Sequence, residues 1–465
     1  MKGRELHNLG LNKHQIGLTK DLCNAAAQAG MTGQQIRDAV VAVMADPEGH
    51  LNDDLFAPLA DVLHVREFEE RETPAPWAQW GEDLEEKSIA QMRNACRLPI
   101  ARRGALMPDA HLGYGLPIGG VLATHNAVIP YAVGVDIACR MRMTVLDIPV
   151  SALDDPTERH QLKRALTQET AFGVGASFRD PRDHRVMDED WSVSPVTHQL
   201  KNKAQSQLGS SGSGNHFVEY GTFTLSEPDL GLAPGTYLAL LSHSGSRGVG
   251  ASVADTYSKL ARQMHPELPE ELQHLSWLDM DSSEGQEYWA AMSLMGQYAA
   301  ANHEVIHREI VRALRTNAVA TVENHHNFAW KEQHDGQEMI VHRKGATPAG
   351  VGVLGIIPGS MASPAYVVRG RGEEKALRSA AHGAGRSMSR GQAHRTLNWA
   401  DAKAQIQERG VELISAGLDE VPDVYKDINE VMAAQKDLVD IVGRFDPKMV
   451  KMAPSGPRKR RNRRK

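Results

Sequence analysis

The chain has 465 residues, of which 41% are hydrophobic and 24% are charged, and its formal net charge is −6. No run of 18 or more apolar residues occurs, which excludes a transmembrane helix and a membrane partner. Only three cysteines are present (Cys23, Cys96 and Cys139), which excludes a disulfide framework, and the N-terminus lacks the apolar core of a secretory signal. We therefore expect a globular protein of a reducing, cytoplasmic setting.

Residues 1–75 are predicted to form an N-terminal helical extension. Thr19 is a candidate cap for a first long helix, and Thr32 and Gln35 have the spacing of a capping box for a second. A third helix is predicted over Leu55–Val65. The apolar stripe of the second helix comprises Ile36, Val40, Val41 and Met44. Because no ligand cluster occurs here, we interpret the extension as a packing or partner-binding unit.

The main body is predicted to span residues 76–452, after a proline-containing linker. Short apolar runs, such as those at 237–241 and 339–341, alternate with loops rich in glycine, histidine and serine. Helices of the body are predicted at 158–169, 284–317 and 400–409. Because strands and helices do not alternate at even spacing, we expect an α+β fold with Gly/His-rich active-site loops and no regular βαβ repeat.

Residues 453–465 are predicted to form a disordered basic tail. Its last nine residues, Pro457–Lys465, carry seven Lys or Arg and no acidic residue, at the end of an acidic chain. Such a tail contacts nucleic acid or another polyanion, or only solvates the end of the chain, and the sequence leaves both open.

Five candidate metal ligands lie in loops of glycine and small residues. Asp136 and Cys139 are three residues apart and would face one ion if the segment turns, whereas His216, His243 and His326 each lie beside small or polar residues. A thiolate with imidazoles favours a transition metal over magnesium or calcium. Five ligands exceed one tetrahedral site and would serve two ions, about 3.5–4 Å apart in sites for phosphoryl chemistry. Taken singly, each residue is more often structural.

Two later segments have chemistry suited to phosphate. The glycines of Pro358–Met361 and of the segment after His382 would let backbone N–H groups approach an anion. Arg386, Arg343 and Lys344 are candidates to neutralise its charge. An accessible His382 would suit a nucleophile that attacks phosphorus and forms a phosphoramidate. These patterns indicate a metal-dependent phosphoryl or nucleotidyl transferase and do not identify its substrate.

The same segments, in this order, resemble the RtcB family of RNA-splicing ligases, and its bacterial branch in particular. The resemblance runs from about Met107 to Lys451, through the motifs VGVDIAC, GSGNHFVE, HSGSRG, HHN, RKGA, IIPGSM, HGAGRSMSR and YKDINEVM. It implies an RtcB-like mixed fold and a ligase that joins an RNA 3′-phosphate or 2′,3′-cyclic phosphate end to a 5′-hydroxyl end. It also implies GTP as cosubstrate and two Mn²⁺ ions.

The resemblance assigns roles to individual residues. His382 matches the histidine that becomes guanylylated. The residues matching manganese ligands, with the cysteine bridging, are Asp136, Cys139, His216, His243 and His326. The residues matching nucleotide-binding positions are Asn215, His216, Phe217, Val218, Glu219, His326, Asn327, Pro358, Gly359, Ser360, Met361, Gly383, Ala384, Gly385, Tyr425 and Lys451.

Two kinds of departure from the family pattern bear on the nucleotide. Ala362 and Ala365 occupy positions where the family usually has Gly and Ser, which leaves GTP affinity and base choice open. Lys451 is followed by Met452 and a basic extension, whereas the family usually ends soon after this lysine. The alternatives are a metal-dependent phosphodiesterase or phosphatase on RNA ends without a covalent guanylate, and an inactive RNA-binding homologue. The RNA repaired, the need for an accessory activator and the oligomeric state stay open.

Overall fold

The computed structural model describes residues 1–64 and 68–454, and the chain divides into two compact units, Met1–Glu69 and Glu70–Lys465. The predicted basic tail lies, beyond its first two residues, outside the described residues. In the described part, no helix is both long enough and apolar enough to cross a membrane.

The N-terminal unit consists of helices α1 (Gly3–Asn8), α2 (Lys13–Gln28), α3 (Gly33–Ala45) and α4 (Ala57–Leu63). The capping box of α3 is confirmed, because Thr32 Oγ1 accepts from the Gln35 N–H at 3.4 Å and Gln35 Oε1 accepts from the Thr32 N–H at 2.8 Å. The cap predicted at Thr19 is wrong. Thr19 lies inside α2, where its hydroxyl donates to the carbonyl of Gln15, an alternative that threonine has within a helix.

The apolar stripe of α3 differs from the prediction at one position. Val41 is 45% exposed, whereas Val43 is fully buried together with Ile36 and Val40. Positions 36, 40 and 43 share one helix face at the i, i+4, i+7 spacing, which excludes residue 41. The unit has its own hydrophobic core, formed by Leu6, Leu11, Cys23, Ala26, Ile36, Val40, Val43, Phe56, Leu59 and Ala60.

The second unit mixes helices and strands, which confirms the predicted α+β class. Its helices are α5 (Glu86–Cys96), α6 (Pro130–Val133), α7 (Pro156–Gln168), α8 (Pro195–Gln207), α9 (Arg247–Met264), α10 (Ser283–Leu314), α11 (Arg390–Thr396), α12 (Trp399–Glu408) and α13 (Ile428–Ala433). Its strands are β1 (Trp77–Gln79), β2 (Ala101–Tyr114), β3 (Leu116–Thr124), β4 (Ala127–Val128), β5 (Arg140–Leu146), β6 (Phe217–Leu225), β7 (Gly235–Ser244), β8 (Leu278–Asp279), β9 (Ala318–His325), β10 (Phe328–His334), β11 (Gln337–Lys344), β12 (Ala346–Pro348), β13 (Leu354–Pro358), β14 (Ala365–Gly370), β15 (Ser379–Ala381), β16 (Glu412–Ser415) and β17 (Val439–Met452).

These strands form two larger sheets and two small pairs. The five-stranded sheet has the order β1-β2-β3-β11-β10. The eight-stranded sheet has the order β13-β14-β17-β6-β7-β5-β9, with β16 paired to β17 outside this path. The pairs β12-β15 and β4-β8 complete the set found in the described residues. Among the strands of the described residues, most pairings are antiparallel, and only β1-β2 and β16-β17 are parallel.

The eight-stranded sheet is buried on both faces. On β7, Leu238 and Leu240 pack into a cluster with Ile306 of α10, whereas Ala239 and Leu241 pack into a second cluster on the opposite face. A strand that is covered on both sides has no polar alternation, which explains the continuous apolar run from 237 to 241.

The two outer strands of this sheet are linked by one side chain. Asn324 of β9 accepts from the N–H of Ile356 in β13 at 3.0 Å and donates to the carbonyl of Ile356 at 3.4 Å. The amide thereby satisfies backbone groups that would otherwise be unpaired at a sheet edge.

Strand register brings the chemistry-bearing segments to one end of the sheet. Arg140, the first residue of β5, lies opposite both Ser244 at the end of β7 and His325 at the end of β9. Phe217, the first residue of β6, lies opposite His243. Residues just before β5 and β6, at the end of β7 and just after β9 therefore meet at one place.

Candidate active site

A cavity of about 370 Å³ opens at this end of the eight-stranded sheet. It collects residues from segments that are far apart in the sequence. The sequence-predicted site residues that line it are Asp136, Cys139, Asn215, His216, Phe217, Glu219, His243, His326, Asn327, Pro358, Gly359, Ser360, Met361, His382, Gly383, Ala384, Gly385 and Tyr425.

Two predicted nucleotide-binding residues do not line this cavity. Val218 alternates with Phe217 and Glu219 along β6, so its side chain is fully buried in the cluster on the other side of the sheet. The Nζ atom of Lys451 donates to the carbonyls of Thr167 and Thr170 at 2.9 and 3.0 Å. Its ammonium group is thus engaged at the end of α7.

The five candidate metal ligands form a continuous chain of close atoms. Asp136 Oδ2 lies 3.0 Å from His216 Nε2, which lies 3.4 Å from Cys139 Sγ. The same sulfur lies 3.1 Å from His243 Nε2, which lies 3.2 Å from His326 Nε2. Donor atoms that share an ion at about 2.0–2.3 Å stand roughly 3–4 Å apart, so these spacings fit metal binding. The sulfur of Cys139 is the central atom of this series of contacts.

Backbone carbonyls fix the orientation of two of these imidazoles. Nδ1 of His216 lies 2.6 Å from the carbonyl of Ser211, and Nδ1 of His243 lies 3.1 Å from the carbonyl of Asn215. Each Nδ1 must carry the proton to donate to a carbonyl, which leaves the Nε2 lone pair directed at the cluster, as in metal-ligating histidines. Nδ1 of His326 is buried without a hydrogen-bond partner.

Burial governs the charge of the cluster. Burial would raise the pKa of Asp136, but the neighbouring His216 and Arg247 side chains outweigh it and lower that pKa. Burial, and then the Asp136 charge, raise the pKa of the Cys139 thiol well above its ordinary value. Burial lowers the pKa of His243 to about 3, so its imidazole is neutral and able to coordinate.

His382 is held by a buried carboxylate. Its Nδ1 lies 2.6 Å from Asp109 Oδ2, and its backbone N–H donates to the same oxygen at 3.2 Å. Asp109 is fully buried, and its other oxygen has no hydrogen-bond partner. Because Nδ1 donates to Asp109, the Nε2 lone pair of His382 is available in the cavity. The ring centroids of His382 and His326 are 5.0 Å apart, so the histidine adjoins the ligand cluster.

The sequence that contains these cavity residues matches a known family over most of its length. The model of a family described as tRNA-splicing ligase RtcB matches residues 91–452. The RNA-splicing ligase RtcB of Escherichia coli K12 is 35% identical, across 79% of this chain and 95% of that relative. The tRNA-splicing ligase RtcB of Nanoarchaeum equitans is 30% identical, across 78% and 91%.

The chain belongs to the RtcB family. A third relative, the RNA-splicing ligase RtcB of Mycobacterium tuberculosis, is 33% identical across 77% of this chain and 98% of its own length. The resemblance read from the sequence motifs, including that to bacterial members, is therefore confirmed.

The two alanines that depart from the RtcB pattern occupy different places. Ala365 lines the cavity, whereas Ala362 is buried in a neighbouring apolar cluster and does not. A serine hydroxyl is nevertheless present in this wall, because Ser363 lines the cavity and its Oγ lies 2.9 Å from that of Ser360.

The three cations expected to bind phosphate differ in the structure. Arg343 is buried against Glu332, to which its two terminal nitrogens donate, and it does not line the cavity. Arg386 lines the cavity while donating to Glu420 at 3.2 Å. Lys344 lines the cavity, donates to the carbonyl of Tyr114, and has its pKa lowered to about 7 by burial.

Sequence reasoning did not assign a role to Asp109. Its partner His382 lies 273 residues away, so no spacing marks the pair. A second unassigned group is Glu420, which accepts from the hydroxyl of Tyr425 and whose pKa is raised by burial. The sequence around Asp109 and Glu420 does not indicate that folding buries these carboxyl groups against predicted site residues.

Proposed function

We propose that this RtcB family member is a GTP-dependent RNA ligase of the RNA-repair or tRNA-splicing type. It joins an RNA 3′-phosphate or 2′,3′-cyclic phosphate end to a 5′-hydroxyl end through a guanylylated His382. Family membership and the names of the relatives support ligation of RNA. The three cysteines are free thiols, which suits a reducing compartment, and we assign the reaction to the cytoplasm.

The observation that carries the proposal is the geometry of His382. A buried carboxylate that accepts from Nδ1–H sets the tautomer in which Nε2 is the nucleophile, as in other histidine–aspartate pairs. The nucleophile opens into the cavity that also contains the Cys/His cluster. A phosphodiesterase that uses only the cluster would not need a histidine oriented in this way.

The donor set fits the two Mn²⁺ ions that the family implies. We assign Asp136, Cys139, His216, His243 and His326 as the residues that would hold these ions. The buried Nδ1 of His326 without a partner and the convergent Nε2 atoms support ligation. By ligand type alone, a thiolate with imidazoles would also accept Zn²⁺ or Co²⁺. When bound, the ions would neutralise phosphoryl oxygens and acidify a coordinated water or hydroxyl.

The chemistry assigned to the chain proceeds in three transfers. Nε2 of His382 attacks the α-phosphorus of GTP, the bond to pyrophosphate breaks, and a phosphoramidate forms. An oxygen of the RNA 3′-phosphate then attacks this phosphorus, takes the GMP and restores the imidazole. Finally, the RNA 5′-hydroxyl attacks the activated 3′-phosphate, forms the phosphodiester and expels GMP. A cyclic phosphate is first opened by water.

The cavity wall offers groups to hold the guanine nucleotide. We assign this role to the predicted nucleotide-binding residues that line the cavity, which leaves out Val218 and Lys451. Burial raises the pKa of Glu219 well above its ordinary value, which favours the neutral carboxyl, a group that donates a hydrogen bond as well as accepting one. Gly359, Gly383 and Gly385 line the cavity, and a Cβ at Gly359 or Gly385 would clash with the carbonyl oxygen of Pro364 or Asp109, so these glycines permit close backbone packing in the cavity wall.

Labelling with GTP radioactive at the α-phosphate tests the proposal. In the presence of Mn²⁺, the wild type should retain GMP in an acid-labile bond and should seal a broken RNA stem-loop with 3′-phosphate and 5′-hydroxyl ends. His382→Ala should do neither. His160→Ala, which changes an exposed histidine of α7 that does not line the cavity, is the matched control and should behave as the wild type. Cleavage of a cyclic phosphate without labelling would favour the phosphodiesterase alternative.

A further inference from the structure

An exposed aromatic and aliphatic surface lies at the rim of the active-site cavity. Tyr114 is 66% exposed, Val135 is 49% exposed and Leu112 is 46% exposed, and all three line the cavity. Exposed apolar side chains grouped in one place mark binding sites more often than single ones do. None of them belongs to the metal cluster or to the residues assigned to the guanine nucleotide.

The ring of Tyr114 is held from behind by two other rings. It packs edge-on against Tyr131, with ring centroids 6.2 Å apart, and against His274, at 5.6 Å. Tyr131 and His274 are in turn 4.7 Å apart. The tight turn after Tyr114 depends on Gly115, which has a φ of +68° and where a Cβ would lie 2.7 Å from the carbonyl oxygen of His274. The ring is therefore positioned without being covered.

The buried amine of Lys344 lies beside these rings. The Nζ atom of Lys344 lies 5.3 Å from the centre of the Tyr131 ring and donates to the carbonyl of Tyr114. None of the ion pairs found in the described residues includes it, so its amine lines the cavity without a carboxylate partner, and an anion bound there would favour its protonated form. The next residue, Gly345, lies against His382, because a Cβ there would be 3.2 Å from Cε1 of that histidine.

We propose that Tyr114, supported by Tyr131 and His274, is a stacking platform for the terminal base of an RNA end in the active site, with Lys344 facing the phosphate next to that base. This rests on the function proposed above. Aromatic rings that stack on bases beside a cation are the usual means of holding single-stranded nucleic acid. The platform is continuous with the cavity that holds His382, so a stacked base would place its phosphate towards the reacting groups.

Abasic RNA provides the test. Affinities of the full chain are measured by fluorescence anisotropy for a 3′-phosphate oligonucleotide and a 5′-hydroxyl oligonucleotide, each with its terminal base present or removed. Tyr114→Ala should weaken binding of one intact oligonucleotide by roughly 5- to 100-fold and leave its abasic counterpart unchanged. Whichever end shows this difference is the end that the platform holds. Tyr114→Trp should restore the affinity, because it retains an aromatic face.

Val351→Ala is the matched control, since Val351 is 83% exposed and does not line the cavity, and it should bind all four oligonucleotides as the wild type does. Equal affinities of Tyr114→Ala and wild type for both intact oligonucleotides, or equal losses for intact and abasic RNA, would overturn the platform. GMP labelling and RNA sealing by the wild type distinguish failure of the proposed function from failure of the platform. If the wild type seals RNA but Tyr114→Ala shows no base-dependent loss of affinity, only the platform is refuted. A wild type that does neither refutes the proposed function and the platform with it.

Discussion

At the scale of single residues, the most informative feature of the site is the pair formed by Asp109 and His382. The carboxylate is buried, it accepts twice from His382, and its second oxygen has no partner. Burying a carboxylate is costly unless it is paired and hydrogen-bonded, and both hydrogen bonds found here come from His382. Here it sets which nitrogen of the imidazole carries the proton.

Asp109→Asn should lower the rate of GMP labelling on the order of 10²- to 10⁴-fold, because an amide at this place can donate to Nδ1 and impose the unproductive tautomer. Metal content and the circular dichroism spectrum should stay those of the wild type, since the change preserves shape. Asp83→Asn, at an exposed position, is the control. A labelling rate equal to that of the wild type would show that Asp109 does not orient the nucleophile.

Lys344 gives a second prediction at this scale, for stability against pH. Burial lowers its pKa from 10.5 to about 7, so between these values the unfolded chain binds a proton that the folded chain does not. The destabilising cost is therefore fully present below about pH 7 and disappears as the pH rises towards 10.5. Lys344→Met should be more stable than the wild type at pH 6 by on the order of a few kcal/mol, and this advantage should shrink by pH 10. Urea unfolding at both pH values measures it, and a constant difference would contradict it.

At the scale of elements, a directed hydrogen-bond chain ties helix α10 to the strands that carry the site. His303 Nε2 lies 3.0 Å from the carbonyl of Ser244, so Nε2–H donates and Nδ1 accepts from the hydroxyl of Ser242 at 2.7 Å. That hydroxyl oxygen accepts from His307 Nε2–H at 2.8 Å, and His307 Nδ1 accepts from Thr144 Oγ1 at 2.8 Å. Burial lowers the pKa of both histidines well below the ordinary value, which keeps this direction fixed.

Ser242→Ala should lower the free energy of unfolding by about 2–5 kcal/mol, because it leaves one buried nitrogen of His303 and one of His307 without partners. Denaturant unfolding of the full chain measures the change. Thr256→Ala removes an exposed hydroxyl that bonds only to the preceding turn of α9, and it should change stability by less than about 0.5 kcal/mol. Similar losses of unfolding free energy in the two variants would mean that the buried hydrogen bonds of Ser242 contribute no more than the exposed one of Thr256.

The elements themselves were partly predictable from sequence. The helix predicted at 158–169 is found as α7, and that at 400–409 as α12, because both have a clear apolar period and a side-chain cap. The cap at Thr19 was wrong because a threonine inside a helix has the same local sequence signal as one at its start. The strand order was beyond prediction, since it depends on pairings such as β17 with β6, more than two hundred residues apart.

The candidate site was likewise predictable only in part from the sequence. Its residues were identified through motifs, because a ligand loop needs small residues around each donor. Their distances were not, because the contact of Cys139 with His216 and His243 arises only from the register of β5, β6 and β7. Val218 was assigned to the nucleotide site because the whole motif around it was assigned. Alternation along the strand turns its side chain away from the cavity that its two neighbours line.

At the scale of the whole molecule, the chain divides after Glu69, whereas the sequence predicted an extension of 75 residues. The backbone contacts of the intervening segment favour the earlier boundary. The Arg71 N–H donates to the carbonyl of Arg97 at 3.1 Å, and the Ala75 N–H donates to the carbonyl of Cys96 at 2.8 Å. The guanidinium group of Arg71 donates to the carbonyl of Ala101 at 2.8 Å.

Two truncations that differ by six residues test this boundary. A chain that starts at Glu70 should retain metal binding, GMP labelling at His382 and the unfolding free energy of the catalytic body, because the described residues that line the cavity all belong to the second unit. A chain that starts at Pro76 loses the three hydrogen bonds of Arg71 and Ala75 and should be less stable by about 2–4 kcal/mol. Urea unfolding of the two chains, followed by labelling with GTP, measures both properties. Equal stability would move the boundary to residue 75, and loss of labelling in the chain that starts at Glu70 would make the extension part of the catalytic unit.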